Sequence, residues 1–124
     1  MKNSKLVYLA SPYSGDVESN TAFAKAACHY AIRQGLTPLA PHLLYPQILD
    51  DRLPEERRLG TEMGIRLLKA CDEIWVCGSR ISKGMEKEIL AAKQMGIPMR
   101  RISEEEVLKE TCMAVIKSGM EMGG

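Results

Sequence analysis

Residues 72–98 read DEIWVCGSRISKGMEKEILAAKQMGIP: a short apolar run, a Gly/Ser turn, and a helical stretch carrying Glu86 and Glu88 near its start. The run Glu73–Cys77 predicts a central strand, and Gly84–Met95 predicts a helix closed by Gly96. In an open α/β sheet, ligands collect just beyond the carboxyl ends of strands. A carboxylate at the start of this helix is therefore a candidate for chemistry.

Glu86 and Glu88 sit two residues apart, so they point to different faces. Glu88 is followed by Ala92 and Met95 at the spacing of a packed face, which directs it inward, while Glu86 and Lys87 read as solvated. A partly buried carboxylate can serve as nucleophile or as acid/base group. The plainer alternative is that both glutamates complement the positive end of the helix.

Working outward, Leu6–Ala10 is continuous and apolar and is bounded by Ser11-Pro12 and Gly15, which predicts a first strand. Glu18–Gln34 is alanine-rich, with Phe23, Ala27, Tyr30 and Gln34 at helical steps, and Gly35 can end it. Leu36–Ala40 reads as a strand near a sheet edge, because Pro38 interrupts it and Pro41 closes it. Pro41, Pro46 and Pro54 with Asp50-Asp51 predict a long loop over 41–54. Pro54 opens the next helix, whose Leu59, Met63, Leu67 and Ala70 fall on one face and which Gly60 and Gly64 weaken. Ile97–Ile102 is a last strand. Ser103 and Glu106 form a capping box for a terminal helix, and Met120–Gly124 is expected to fray.

The order β-α-β-α-β-α-β-α predicts a Rossmann-like or flavodoxin-like three-layer α/β sandwich, with a mainly parallel sheet of about four to five strands. With 124 residues, 45% of them apolar, a single domain over 1–124 is expected. The formal charge of +1 excludes the field of a nucleic-acid polymer binder and favours a small-molecule partner. Cys28, Cys71, Cys77 and Cys112 show no CxxC pairing, and with only His29 and His42 they make no zinc pattern; reduced thiols in the cytoplasm are expected. The amino terminus has too short an apolar run for a signal peptide, and no run approaches a membrane span.

Gly78-Ser79 and Ser82-Lys83-Gly84 lie between a strand and a helix start, where free amides, a hydroxyl and the helix dipole suit an anion. The spacing matches neither a GxGxxG fingerprint nor a P-loop, and the same turn can be an ordinary connection capped by Ser82. His42, after the second strand, can bind substrate or exchange protons at neutral pH; a structural histidine is the alternative. Asp50, Asp51, Arg57 and Arg58 bound either a lid or oligomer contact, or a solvated loop. Trp75 reads as core or interface.

The set Ser82, Gly84, Met85, Glu88, Ala92, Gly96 and Pro98 resembles a pattern of the nucleoside 2-deoxyribosyltransferase superfamily. LVYLASPYSG is similar to that superfamily's first strand and loop, and CDEIWV resembles another of its strands; the resemblance spans about Leu6 to Ile102. YLASPYS, APHL and CDEIWV resemble signatures of a bacterial and phage branch.

The resemblance implies N-glycosidic cleavage or 2-deoxyribosyl transfer, in which a glutamate attacks C1′ of deoxyribose, the base departs, and another base or water captures the glycosyl-enzyme. By motif position that nucleophile is Glu88, with Tyr8 orienting it. Ser82 with Gly84 and Met85, the loop Ser11, Pro12 and Tyr13, and His42 and Gly78 are expected around a nucleoside or nucleotide. No metal or organic cofactor is implied, and a homo-oligomer is. The relatives place an aspartate, which assists leaving-group protonation or substrate orientation, where this chain has Gly64; Glu62 is about two positions out of helical register with it. A noncatalytic nucleotide-binding or sensing module of the same fold is the alternative function.

Overall fold

Strands and helices alternate along the chain in the computed structural model, which describes residues 4–110. The order is β1 (Leu6–Ala10), α1 (Val17–Arg33), β2 (Thr37–Leu39), α2 (Pro54–Lys69), β3 (Glu73–Cys77), α3 (Lys83–Met95) and β4 (Met99–Ile102). A further helical segment, α4, occupies residues 104–110. The sheet order is β2-β1-β3-β4 and every pairing is parallel, so the fold is the expected α/β sandwich with β2 at an edge. Strand order reverses between β1 and β3, and a crevice opens beyond their carboxyl ends at such a reversal.

Side chains alternate across each strand, which sorts the core into two layers. Val7, Leu9, Trp75 and Cys77 pack against Ala27, Tyr30 and Ala31 of α1 and Val107 of α4. Tyr8, Ala10, Ile74 and Val76 pack against Leu68 of α2 and Met85, Ala91 and Ala92 of α3. Both faces of β1 and β3 are covered, which is why these strands read as unbroken apolar runs. Trp75 is a core residue: its Nε1 donates to Glu73 Oε1 at 2.6 Å, and the Arg100 guanidinium lies 5.1 Å from its ring centre.

Local chemistry sets the boundaries. Asp16 caps α1 by accepting from Ser19 N, and Gly35 follows at φ +82°. Ser82 caps α3, and Gly96 ends it at φ +72°. At Ser103, the hydroxyl accepts from Glu106 N at 3.1 Å while the Glu106 carboxylate accepts from Ser103 N at 3.3 Å. Asp72 Oδ2 accepts from Leu6 N at 2.7 Å and so ties the entrance of β3 to the first amide of β1.

Several helix faces differ from expectation. The packed side of α2 carries Gly64 and Leu68, whereas Leu59 and Ala70 are exposed. Gln34, the C-cap of α1, and Met95 of α3 face solvent, and alanines fill the contacts in both helices. Small side chains let the helices lie close to the sheet, so the apolar stripe is narrower than hydrophobicity alone implies. The 41–54 stretch holds two 3-10 turns, Pro41–Leu43 and Tyr45–Gln47. Pro41 and Pro46 fall in their first residues, where a missing N–H costs no hydrogen bond.

Cys28, Cys71 and Cys77 are free thiols. Cys112 and the expected fraying of Met120–Gly124 lie outside the described residues. Among the described residues, no helix is long and apolar enough to cross a membrane.

Candidate functional site

A cleft of about 660 Å³ lies at the carboxyl edge of the sheet, on the side of α2 and α3. β1 and its following loop supply Tyr8 and Tyr13, and the 3-10 turns supply His42 and Tyr45. Arg57, Gly60, Thr61 and Gly64 form one stripe of α2, and Ser82, Lys83, Gly84, Lys87 and Glu88 line the start of α3.

Glu88 is the buried carboxylate of this cleft, only 8% exposed although it sits in the second turn of a helix. It shares a face with Met85 and Ala92, which pack onto the sheet, so the helix turns it inward while Glu86 points out. Its Oε1 is buried without a hydrogen-bond partner. An unsatisfied buried polar atom costs about 1–3 kcal/mol, and such an atom beside a cleft calls for an explanation. Burial pushes the Glu88 carboxyl above the usual carboxylate range, with His42 and the Tyr8 hydroxyl pulling it partly back. The three groups thus form one electrostatic unit.

Tyr8 is 1% exposed, and burial, followed by the charge of Glu88, holds its phenol well above the ordinary range. It therefore stays protonated and can donate. Its hydroxyl reaches α2 exactly where the chain has no side chain: a Cβ built on Gly64 would lie 3.1 Å from Tyr8 Oη. The glycine expected to weaken α2 instead makes room for the tyrosine. Glu62 is exposed, pairs with Arg58 at 2.8 Å and lies outside the cleft lining.

His42 is anchored from behind. Its Nδ1 lies 2.8 Å from the Ser11 carbonyl oxygen, and the Tyr13 ring sits at 6.1 Å, tilted by 55°. Ser82 Oγ accepts from Met85 N at 3.2 Å, which leaves its O–H to donate. The next amides, of Lys83 and Gly84, belong to the first turn, which no intrahelical carbonyl reaches. Arg57, Arg80, Lys83 and Lys87 add positive charge around the cleft, against Asp51, Glu56 and Glu88.

The cleft brings together Tyr8, Tyr13, His42, Ser82, Gly84 and Glu88 and leaves four expected binding residues outside its lining. Ser11 is buried and acts through its carbonyl on His42. Met85 is a core residue whose sulfur accepts from Ser82 N at 3.4 Å. Gly78, at φ +106°, is packed beneath Phe23 and Pro12; a Cβ there would meet Phe23 Cε2 at 3.3 Å and Pro12 Cδ at 3.6 Å. Lys87, read as solvated, lines the cleft, as do Arg57, Arg80 and Thr61. The i, i+3, i+4, i+7 spacing of Arg57, Gly60, Thr61 and Gly64 marks that wall of α2, but it carries no hydrophobic signal. Among the described residues, no group of three or more His, Cys, Asp or Glu side chains is placed to hold a metal ion.

Among solved structures, the chain is similar to a 2-deoxyribosyltransferase from the psychrotolerant bacterium Bacillus psychrosaccharolyticus, described as a biocatalyst for nucleoside synthesis. The TM-score is 0.64 at 22% identity, over 79% of this chain and 72% of that one, a likeness of fold. Comparison with curated proteins finds no match. Residues 5–102 match a domain of unknown function, DUF7768, which includes every strand and every cleft-lining residue named above. The chain belongs to the DUF7768 family.

Proposed function

We propose that the cleft cleaves the N-glycosidic bond of a nucleoside or nucleotide, by hydrolysis or 2-deoxyribosyl transfer, with Glu88 as nucleophile. The observation that carries this reading is the buried, unpartnered Oε1 of Glu88 in the wall of a cleft of about 660 Å³. A nucleophile needs a free lone pair, and the unpartnered oxygen of Glu88 supports that role. In the first step a Glu88 oxygen bonds to C1′, and the electrons of the C1′–N bond leave with the base. In the second, water or another base attacks C1′ and releases the carboxylate. Tyr8 donates toward Glu88 and holds its orientation. The Ser82 hydroxyl, the Lys83 and Gly84 amides and the surrounding cations favour a substrate bearing phosphate.

The 2-deoxyribosyltransferase neighbour is described as a biocatalyst for the synthesis of nucleosides, and it shares the fold. We assign this chain the same broad substrate class, with no cofactor. We also infer a homo-oligomer: Leu44, Ile48, Leu53 and Leu59 are exposed on and beside the segment whose Tyr45, Pro46 and Leu49 line the cleft. The free thiols favour the cytoplasm.

Release of free base from a panel of deoxynucleosides and their 5′-monophosphates tests the reaction. Glu88→Gln is expected to lower release at least about 10³-fold, since a carboxamide is a poor nucleophile. Gly64, which puts no acid opposite Tyr8, favours a second reading, a noncatalytic nucleotide-binding module. Calorimetric binding on the same panel with no base release, unchanged in Glu88→Gln, would select it.

A further inference from the structure

We propose that His42 donates the proton to the departing base and later takes one from the attacking water, filling the acid/base role that α2 leaves open at Gly64. This rests on the glycosidic reading above and names the group that completes its chemistry.

A carbonyl oxygen only accepts, so the 2.8 Å contact with Ser11 places the hydrogen of His42 on Nδ1. The proton that can be exchanged is therefore at Nε2, the nitrogen free of that anchor. The Tyr13 ring, tilted at 6.1 Å, packs beside the imidazole. This is how a proton-transfer group is built: one nitrogen holds the ring and the other reacts.

Other candidates in the cleft fit less well. The Tyr8 phenol is directed to Glu88, whose charge strengthens its hold on the proton. Glu56 Oε1 already accepts from Asp50 N at 2.8 Å. Asp51 is exposed.

The charge of His42 acts on the Glu88 carboxyl, so the two groups share one cleft wall electrostatically. In the first step a Glu88 oxygen bonds to C1′. At that moment the C1′–N bond breaks, its electron pair moves to the base nitrogen, and the Nε2 proton follows. In the second step water attacks C1′, neutral Nε2 takes the proton of that water, and the C1′–O bond to Glu88 breaks to restore the carboxylate. The sum is nucleotide plus water giving base plus deoxyribose phosphate, with both side chains returned to their starting forms.

The test compares 2′-deoxyguanosine 5′-monophosphate with its N7-methyl derivative, whose base already carries a positive charge and leaves without a proton. His42→Asn keeps an N–H for the Ser11 carbonyl and removes the transferable proton. For this variant kcat/KM is expected to fall about 100-fold or more on the unmethylated substrate, the scale of general acid catalysis, and less than about threefold on the methylated one. Equal losses on the two would overturn the assignment and leave the glycosidic reading standing. So would a native chain that cleaves only the methylated substrate. Release from neither by the native chain overturns the glycosidic reading and this inference with it. If His42→Asn melts below the assay temperature, His42→Gln is compared by the same criterion.

Discussion

The carboxyl of Glu88 gives up its hydration on folding and finds no hydrogen-bond partner at Oε1. Its affinity for protons is raised above that of an unfolded chain, mainly by burial. The native state therefore binds the Glu88 proton more tightly than the unfolded state does. The resulting stability is complete below the unfolded carboxyl range and is lost as pH rises through the higher folded range. Near neutrality Glu88 is consequently a site of stored instability, as expected where function outweighs packing. Glu88→Gln is expected to raise stability by about 1 kcal/mol at pH 7, with the gain shrinking as pH falls through the raised folded range and gone below about 4. Urea denaturation of both chains at the two pH values measures this, and a gain of equal size at both would contradict the titration argument.

At the level of elements, what could be read in advance depended on whether hydrophobicity carried the information. β1 and β3 run over the expected residues because two-sided burial demands unbroken apolar strands. The inward turn of Glu88 followed from Ala92, although Met95, invoked with it, is exposed. The cleft face of α2 was hidden, since Arg57, Gly60, Thr61 and Gly64 read as a solvated and weakened helix. Lys87 was hidden because a charge in a cleft wall and a charge in bulk water look alike in sequence.

Two glycines of α2 now separate helix propensity from site geometry. A Cβ at Gly60 would meet only Leu49 Cδ1 at an ordinary 3.5 Å, so Gly60→Ala is expected to stabilise the fold by up to about 1 kcal/mol. Gly64→Ala makes the same gain and loses it again by crowding Tyr8 Oη. Its net stability change is expected within about 1 kcal/mol of zero, while displacement of Tyr8 lowers base release about tenfold or more. Thermal melts and release assays on the two variants check the contrast.

For the whole molecule, the sheet's reversal between β1 and β3 fixes where the cleft opens, and the proline-led turns form its outer wall. Ile48, 67% exposed, and Leu53, 48% exposed, stand on that wall or beside it. Isolated apolar residues on a surface need no explanation, but several flanking a cleft suit a subunit contact. Sedimentation is expected to give at least a dimer. Ile48→Asp with Leu53→Asp is expected to shift it toward monomer, through burial of two charges in the contact. A native chain that sediments as a monomer at assay concentration would refute the homo-oligomer.

The contact between Tyr8 and the bare backbone of Gly64 also constrains the history open to this chain. Placing an acid at position 64 by one substitution crowds the Tyr8 hydroxyl, because a Cβ there lies 3.1 Å from it. Removing Tyr8 first would strip Glu88 of that partner before the acid arrives. Either order passes through a chain with a poorer site than its parent. Positions 8 and 64 are thus coupled, and a change at one is felt at the other.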